Sequence, residues 1–236
     1  MKNAGEIFRS ILSSKKHIHI KLLGDSITHG VGGTGYKQSG EIFALKFARN
    51  PDGNCWANKF KAFMGQKYDC TVTNNGCSGT TIQFIINNFD TLVYDRDDII
   101  ICAIGTNNRH FKYADGSKPS KEMFAKNFYD NIVKLYQKIK DANKEVIFIA
   151  NIPASQSEEQ DSALSWRILH MDDINLIYKH AAEKLDFPLI SMYDLFCEYC
   201  EKQNIPLSSL LKDGLHPNND GHELMFRLLC EQLGIS

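Results

Sequence analysis

No apolar run in the chain approaches the roughly 20 residues a bilayer-spanning helix needs, so a membrane is not an expected partner. Charge of one sign is also missing. Lys+Arg 27 against Asp+Glu 28 leaves a formal net charge of -1, with a pI near 6.7. No basic tract stands out, which argues against nucleic acid or an anionic surface. Met1 to Lys16 is polar and lacks the apolar core of a secretory signal. Repeats, low-complexity stretches and a linker are absent, so residues 1–236 are expected to form one domain. A chain of this size buries roughly 70–75% of its unfolded surface and needs no covalent staples.

Cysteine is not scarce, but its pattern excludes as much as an absence would. There are seven, Cys55, Cys70, Cys77, Cys102, Cys197, Cys200 and Cys230. The odd count, with several in apolar strand or helix patterns, predicts free and mostly buried thiols in a reducing, cytoplasmic setting. Cys197-Glu198-Tyr199-Cys200 is a CxxC, yet it lacks a second pair and a nearby ligand histidine, so no zinc is expected.

What is present alternates between short apolar runs and amphipathic stretches. Strands are expected at His17 to Leu23, Asp69 to Thr73, Asp97 to Gly105, Val146 to Ile152 and Pro188 to Met192. The third, Ile99-Ile100-Ile101-Cys102-Ala103-Ile104, is apolar without interruption, which implies burial on both faces and parallel pairing. Helices are expected at Glu6 to Ser14, Asn54 to Gln66, Thr80 to Asn88, Ser120 onward, Ile174 to Leu185, Leu195 to Lys202 and His222 to Leu233. The Ile174 helix could start nearer Ala163 with a break around His170. Ser155 to Asp161 reads as a charged loop. Gly30 to Asn54 is long and glycine-rich, with a short helix possible at Glu41 to Ala48, and reads as part of a substrate pocket. Its GxG has neither the spacing nor the following helix of a dinucleotide fingerprint. The alternation predicts an α/β fold: a three-layer α/β/α sandwich on a flavodoxin-like five-stranded parallel sheet of order 2-1-3-4-5.

In that fold the loops after the strands meet at one sheet edge. Ser26 follows the first strand within Gly24-Asp25-Ser26-Ile27-Thr28. A serine hydroxyl becomes a nucleophile only when a base removes its proton. His216 is the candidate base, and Asp213, three residues earlier, the carboxylate that would orient it. Attack on an ester carbonyl also needs donors for the oxyanion. The Ser26 and Gly76 backbone N–H groups and the Asn107 side-chain amide are the candidates. Asp25 reads as a backbone-bonding residue that holds the turn. His29, Arg109 and His110 read as solvated loop residues, with substrate contact as the alternative. His170, His180 and His222 receive no role.

Four blocks together resemble the SGNH (GDSL-type) hydrolase family. They are Gly24-Asp25-Ser26-Ile27-Thr28, Asn75-Gly76-Cys77-Ser78-Gly79, Gly105-Thr106-Asn107-Asn108 and Asp213-Gly214-Leu215-His216-Pro217. The resemblance implies Ser26 as nucleophile, Gly76 and Asn107 in the oxyanion hole, His216 as base and Asp213 as its partner. It also implies metal-free hydrolysis of acyl esters without a cofactor. Asn108 departs from the aspartate that often ends the third block, and would remove a helix-capping charge. The expected activity is that of a serine esterase on short acyl esters of a small molecule or carbohydrate, O-acetyl groups included. An O-acyltransferase on the same residues and a non-catalytic binding module are the alternatives.

Overall fold

The computed structural model describes residues 2–36, 53–111, 113–161 and 166–235. Five strands form one parallel sheet: β1 (Ile18–Gly24), β2 (Cys70–Gly76), β3 (Ile99–Ala103), β4 (Glu145–Ala150) and β5 (Leu189–Ser191). Their order is β2-β1-β3-β4-β5, as the alternation of elements implies. Gly24 stands opposite Gly76 on one side and Ala103 on the other, and Ala103 opposite Ile149. The strands therefore end nearly level, and the segments after them emerge side by side.

Alternation within each strand divides the core in two. Ile99, Ile101, Ala103, Ile147 and Ile149 face one layer, while Ile100, Cys102, Val146 and Phe148 face the other. The first layer is closed by α1 (Ala4–Ser14), α3 (Trp56–Lys67), α9 (Met192–Gln203) and α10 (Asn219–Leu233). The second is closed by α4 (Ile82–Asn87), α5 (Phe89–Leu92), α6 (Lys121–Asp141) and α8 (Met171–Leu185). Two further helices are single turns, α2 (Ser26–His29) and α7 (Gln156–Glu159). Each isoleucine of β3 is fully buried, a gain of about 1.5–3 kcal/mol over exposure.

Local chemistry sets the helix ends. Ser120 Oγ accepts the Met123 N–H at 3.2 Å and starts α6, whose Phe128, Ile132, Leu135 and Ile139 face the sheet. Asn218 caps α10 by accepting from the Gly221 N–H at 3.0 Å, and Gly234 ends it in the left-handed region. Among the described residues no helix is long and apolar enough to cross a membrane.

Several boundaries differ from the sequence expectation. Asn74-Asn75-Gly76 continues β2 rather than turning, because Gly24 in β1 still pairs with Gly76. The charged segment after Ser155 closes into α7, because Ser155 Oγ accepts the Glu158 N–H at 3.3 Å. The start of α8 lies at Met171, where Asp173 accepts the His170 N–H at 2.9 Å. β5 is only three residues long, since Ser191 caps α9 at once. The helix expected at Glu41 to Ala48 lies outside the described residues. All seven cysteines are free, but only Cys55, Cys77, Cys102 and Cys230 are buried, and Cys197 is exposed.

Candidate active site

β1 delivers the chain to Asp25, whose carboxylate starts α2 by accepting the Ile27 N–H at 3.0 Å. Its second oxygen accepts from Asn151 Nδ2 at 3.0 Å, and the same amide donates to Thr106 Oγ1 at 2.9 Å. Segments after β1, β3 and β4 are thus tied beneath the site. Asp25 is fully buried, and that burial pushes its carboxyl up, against the opposing pull of Ile27 and Thr106. The turn it builds presents Ser26 as the first residue of α2, with only 7% of its surface exposed.

Ser26 Oγ lies 2.9 Å from His216 Nε2. The His216 ring donates through Nδ1–H to Asp213 Oδ2 at 2.8 Å. That bond leaves the Nε2 lone pair facing the serine hydroxyl. Asp213 also accepts the backbone N–H groups of Leu215 at 3.1 Å and His216 at 2.8 Å. Burial raises the Asp213 carboxyl, but the bonds from His216 and Leu215 outweigh it and hold it below the usual carboxylate range. Three residues that the sequence separates by up to 190 positions therefore form one hydrogen-bonded series.

The glycine-rich stretch after α2 braces this series. At Gly32, φ is +92°, and a Cβ there would lie 2.1 Å from the Pro217 carbonyl oxygen and 3.2 Å from His216 Cβ. Only glycine permits so close an approach to the histidine loop. His222, given no role by sequence reasoning, holds the same stretch from below. Its Nε2–H donates to the Val31 carbonyl at 3.1 Å, and its Nδ1 accepts the Trp56 N–H at 3.5 Å. Burial pushes this imidazole down to about 4.

Asn107 sits in a 3-10 turn, Thr106–Arg109, directly after β3. Its Nδ2 donates one hydrogen to the Thr80 carbonyl at 2.9 Å, which leaves one N–H of the amide for another acceptor. Asn108 keeps the capping contact despite lacking a charge. Its Oδ1 accepts the Ile82 N–H at 2.9 Å, and its Nδ2 donates to Gln83 Oε1 at 2.7 Å. Gly76 is placed differently from expectation. Its N–H already donates to Asn74 Oδ1 at 2.9 Å. A Cβ at Gly76 would meet His29 N at 2.5 Å and Thr28 C at 2.6 Å, so this glycine lets α2 rest on β2.

Of the three residues read as solvated, His29 and Arg109 are buried and His110 is half-buried. His29 is 1% exposed; its Nδ1 lies 3.0 Å from Ser78 Oγ, which Tyr36 OH approaches at 3.2 Å. Arg109 is fully buried. It donates to the Thr106 carbonyl at 3.0 Å, to Glu159 at 3.0 Å and to Glu158 at 3.3 Å. Arg167 donates to the same Glu158 oxygen at 2.7 Å. His110 is pushed down to about 4 by burial and the two arginines. An arginine beside a loop asparagine gives no local sign of this burial, because its carboxylate partners lie about fifty residues away.

Five parallel strands in the order β2-β1-β3-β4-β5, with helices on both faces, form the SGNH hydrolase fold. The chain belongs to the GDSL-like Lipase/Acylhydrolase family, which matches residues 22–224, and is a carboxylic ester hydrolase. Among solved structures it is similar to Axe2, an acetylxylan esterase from Geobacillus stearothermophilus. The identity is 18% and the TM-score 0.67, over 93% of this chain and 95% of that one. It is also similar to LAE5, an alpha/beta hydrolase enzyme from the metagenome of Lake Arreo, Spain. There the identity is 19% and the TM-score 0.66, over 92% of this chain and 95% of that one. The sequence matches no curated protein.

Proposed function

We propose that the protein is a serine esterase that removes short acyl groups, O-acetyl groups on carbohydrate among them, through an acyl-serine intermediate. The observation that carries the reading is the series Ser26 Oγ to His216 Nε2 at 2.9 Å and His216 Nδ1 to Asp213 at 2.8 Å. Ser26 Oγ bonds to the acyl carbon as its proton passes to His216 Nε2. The carbonyl oxygen takes the electron pair and becomes an oxyanion. The bond to the alcohol oxygen then breaks, and Nε2 returns its proton to that oxygen. Water repeats the sequence on the acyl-serine and releases the acid. Asp213, held ionised, keeps the ring in the required tautomer and stabilises the imidazolium.

The oxyanion would be met by the Ser26 N–H, in the first turn of α2 and so outside its internal bonding. The second Asn107 N–H would join it. Gly76, the third expected donor, has its N–H engaged by Asn74. We assign that role to Gly79 in the same loop, which is exposed with φ +80° and whose N–H meets no acceptor among the described residues. A carbohydrate ester is supported by the likeness to an acetylxylan esterase and by the polar sequence from Gly30 to Asn54.

The test is turnover of p-nitrophenyl acetate. Ser26→Ala should lower kcat by about 10⁴-fold or more while circular dichroism stays native. A fluorophosphonate should label the wild-type protein and spare the variant. Retained turnover in Ser26→Ala overturns the mechanism, and preference for an octanoyl over an acetyl ester overturns the acyl length.

A further inference from the structure

Of the exposed phenylalanine, tyrosine and tryptophan rings among the described residues, three of four lie on two neighbouring segments. Phe111, Tyr113 and Trp166 are 42%, 44% and 39% exposed, with Tyr94 alone elsewhere. The Trp166 ring lies 4.7 Å from that of His110, at 40°. Phe111 meets Tyr113 edge-on at 5.1 Å and is backed by Phe124 at 6.1 Å. Exposed apolar surface gathered into one patch marks a contact site more often than chance scatter.

The patch is held rigidly. The Phe111 N–H donates to the Trp166 carbonyl at 3.1 Å, and the Ile168 N–H to the Arg109 carbonyl at 2.8 Å. His110 and Arg167 form an antiparallel bridge. Arg109 and Arg167, the chain neighbours of His110 and Trp166, are both anchored on Glu158 beneath. Backbone ordered in advance lowers the entropic cost of receiving a ligand.

It also lies beside the reactive edge. His110 follows Asn107 by three residues, the first three of these four lying in the 3-10 turn Thr106–Arg109. At about 2 Å of rise per residue the two backbone positions are roughly 6 Å apart. On the other flank the Ser155 N–H donates to the Gly214 carbonyl at 2.8 Å, inside the Asp213–His216 loop. The segment Ser155–Glu159, on which Arg109 and Arg167 are anchored, therefore links the segments of the patch to the Asp213–His216 loop.

From this arrangement we infer that Trp166, Phe111 and Tyr113 form a binding platform for the sugar rings of a neutral oligosaccharide, the alcohol half of the ester. A pyranose offers a flat face of C–H bonds and a rim of hydroxyls. Flat aromatic faces half open to water, with a phenol hydroxyl and an indole N–H at their edges, match both. An acyl chain is a poorer match, because it needs an enclosed apolar channel. An anion is disfavoured as well, since the guanidinium charges behind the patch are already paired with Glu158 and Glu159. The platform's orientation toward Ser26 rests on the esterase reading, whereas binding itself needs no turnover.

The test titrates xylotetraose, cellotetraose and chitotetraose into the full-length protein by calorimetry. At least one should bind, with affinity falling roughly tenfold in Trp166→Ala and recovering largely in Trp166→Tyr. The ratio of kcat/KM for an acetylated oligosaccharide to that for p-nitrophenyl acetate should fall by a similar factor in Trp166→Ala. Binding of none of the three sugars, or binding that Trp166→Ala and Phe111→Ala leave unchanged, overturns the platform. A ratio unchanged by Trp166→Ala overturns its link to the ester's alcohol half. Failure of the esterase reading would show separately, as p-nitrophenyl acetate turnover that does not depend on Ser26.

Discussion

Asp213 grips His216 twice, through the ring Nδ1–H and through the backbone N–H, each at 2.8 Å. One carboxylate thereby fixes both the position of the histidine and the face of its ring. Replacing Asp213 by Asn should keep the fold, because the side-chain oxygen can still accept the backbone N–H. With that oxygen on the backbone, the amide turns its NH2 toward Nδ1 and favours the tautomer protonated on Nε2, so kcat/KM for p-nitrophenyl acetate should fall by roughly 10³–10⁴-fold. Steady-state kinetics check this, and a loss under tenfold would remove Asp213 from the mechanism.

The pH dependence of the rate follows from the same grip. The Asp213 carboxyl is held below its ordinary range, so it stays ionised through mildly acid conditions. The acid limb of kcat/KM should then show loss of activity on uptake of a single proton, because only a neutral imidazole can accept the serine proton. A limb requiring two protons between pH 5 and 7 would mean that the carboxylate also titrates there.

His222 makes folding itself sensitive to acid. Its imidazole titrates near 4 in the folded protein against an ordinary 6.5. Between those values the unfolded chain takes up a proton that the native chain does not, so stability falls as pH drops. The contribution is fully present above about 6.5 and is lost progressively toward 4, a change of about 3 kcal/mol for a group this deeply buried. Urea unfolding at pH 7.5 and 4.5 measures it. His222→Gln should be less stable at pH 7.5 and show a shallower acid dependence.

A methyl group at residue 32 would collide with the carbonyl of Pro217 at 2.1 Å, in a backbone conformation that already disfavours side chains. Gly32→Ala should cost about 1–3 kcal/mol. It should also lower kcat more than it raises KM, because the loop it displaces carries His216. Thermal melts and steady-state kinetics on the same preparation separate the two effects.

Arg109 answers two carboxylates from a fully buried position. Arg109→Met leaves Glu159 short of its main partner, and unfolding should become easier by about 3 kcal/mol. Arg109→Lys should recover only part of this, since one ammonium cannot span Glu158, Glu159 and the Thr106 carbonyl as a guanidinium does.

Strand positions were legible because short apolar runs bounded by turn residues mark strands buried on both faces. The isoleucines of β3 sort between two layers by parity alone. The meeting of the segments that carry Ser26 and Asn107 was legible because parallel strands must end at one edge, whereas the Asp213–His216 loop follows no strand and was placed by its motif. The fates of Arg109, His29 and His222 were not, since each is buried against groups far off in the chain, and a polar side chain carries no local mark of that. Gly76 misled for a related reason. Its backbone freedom was visible, but the commitment of its N–H to Asn74 two residues earlier depends on the side-chain geometry of an extended strand.

Gly32 resting on Pro217 couples an early turn of the chain to the late loop that holds His216. The aromatic patch grows instead from the segments after β3 and β4. Asn107 and the patch residues Phe111 and Tyr113 follow β3, whereas His216 comes from the loop before α10. On the platform reading, randomising Phe111, Tyr113 and Trp166 should change which alcohols are accepted without altering the Gly32–Pro217 contact.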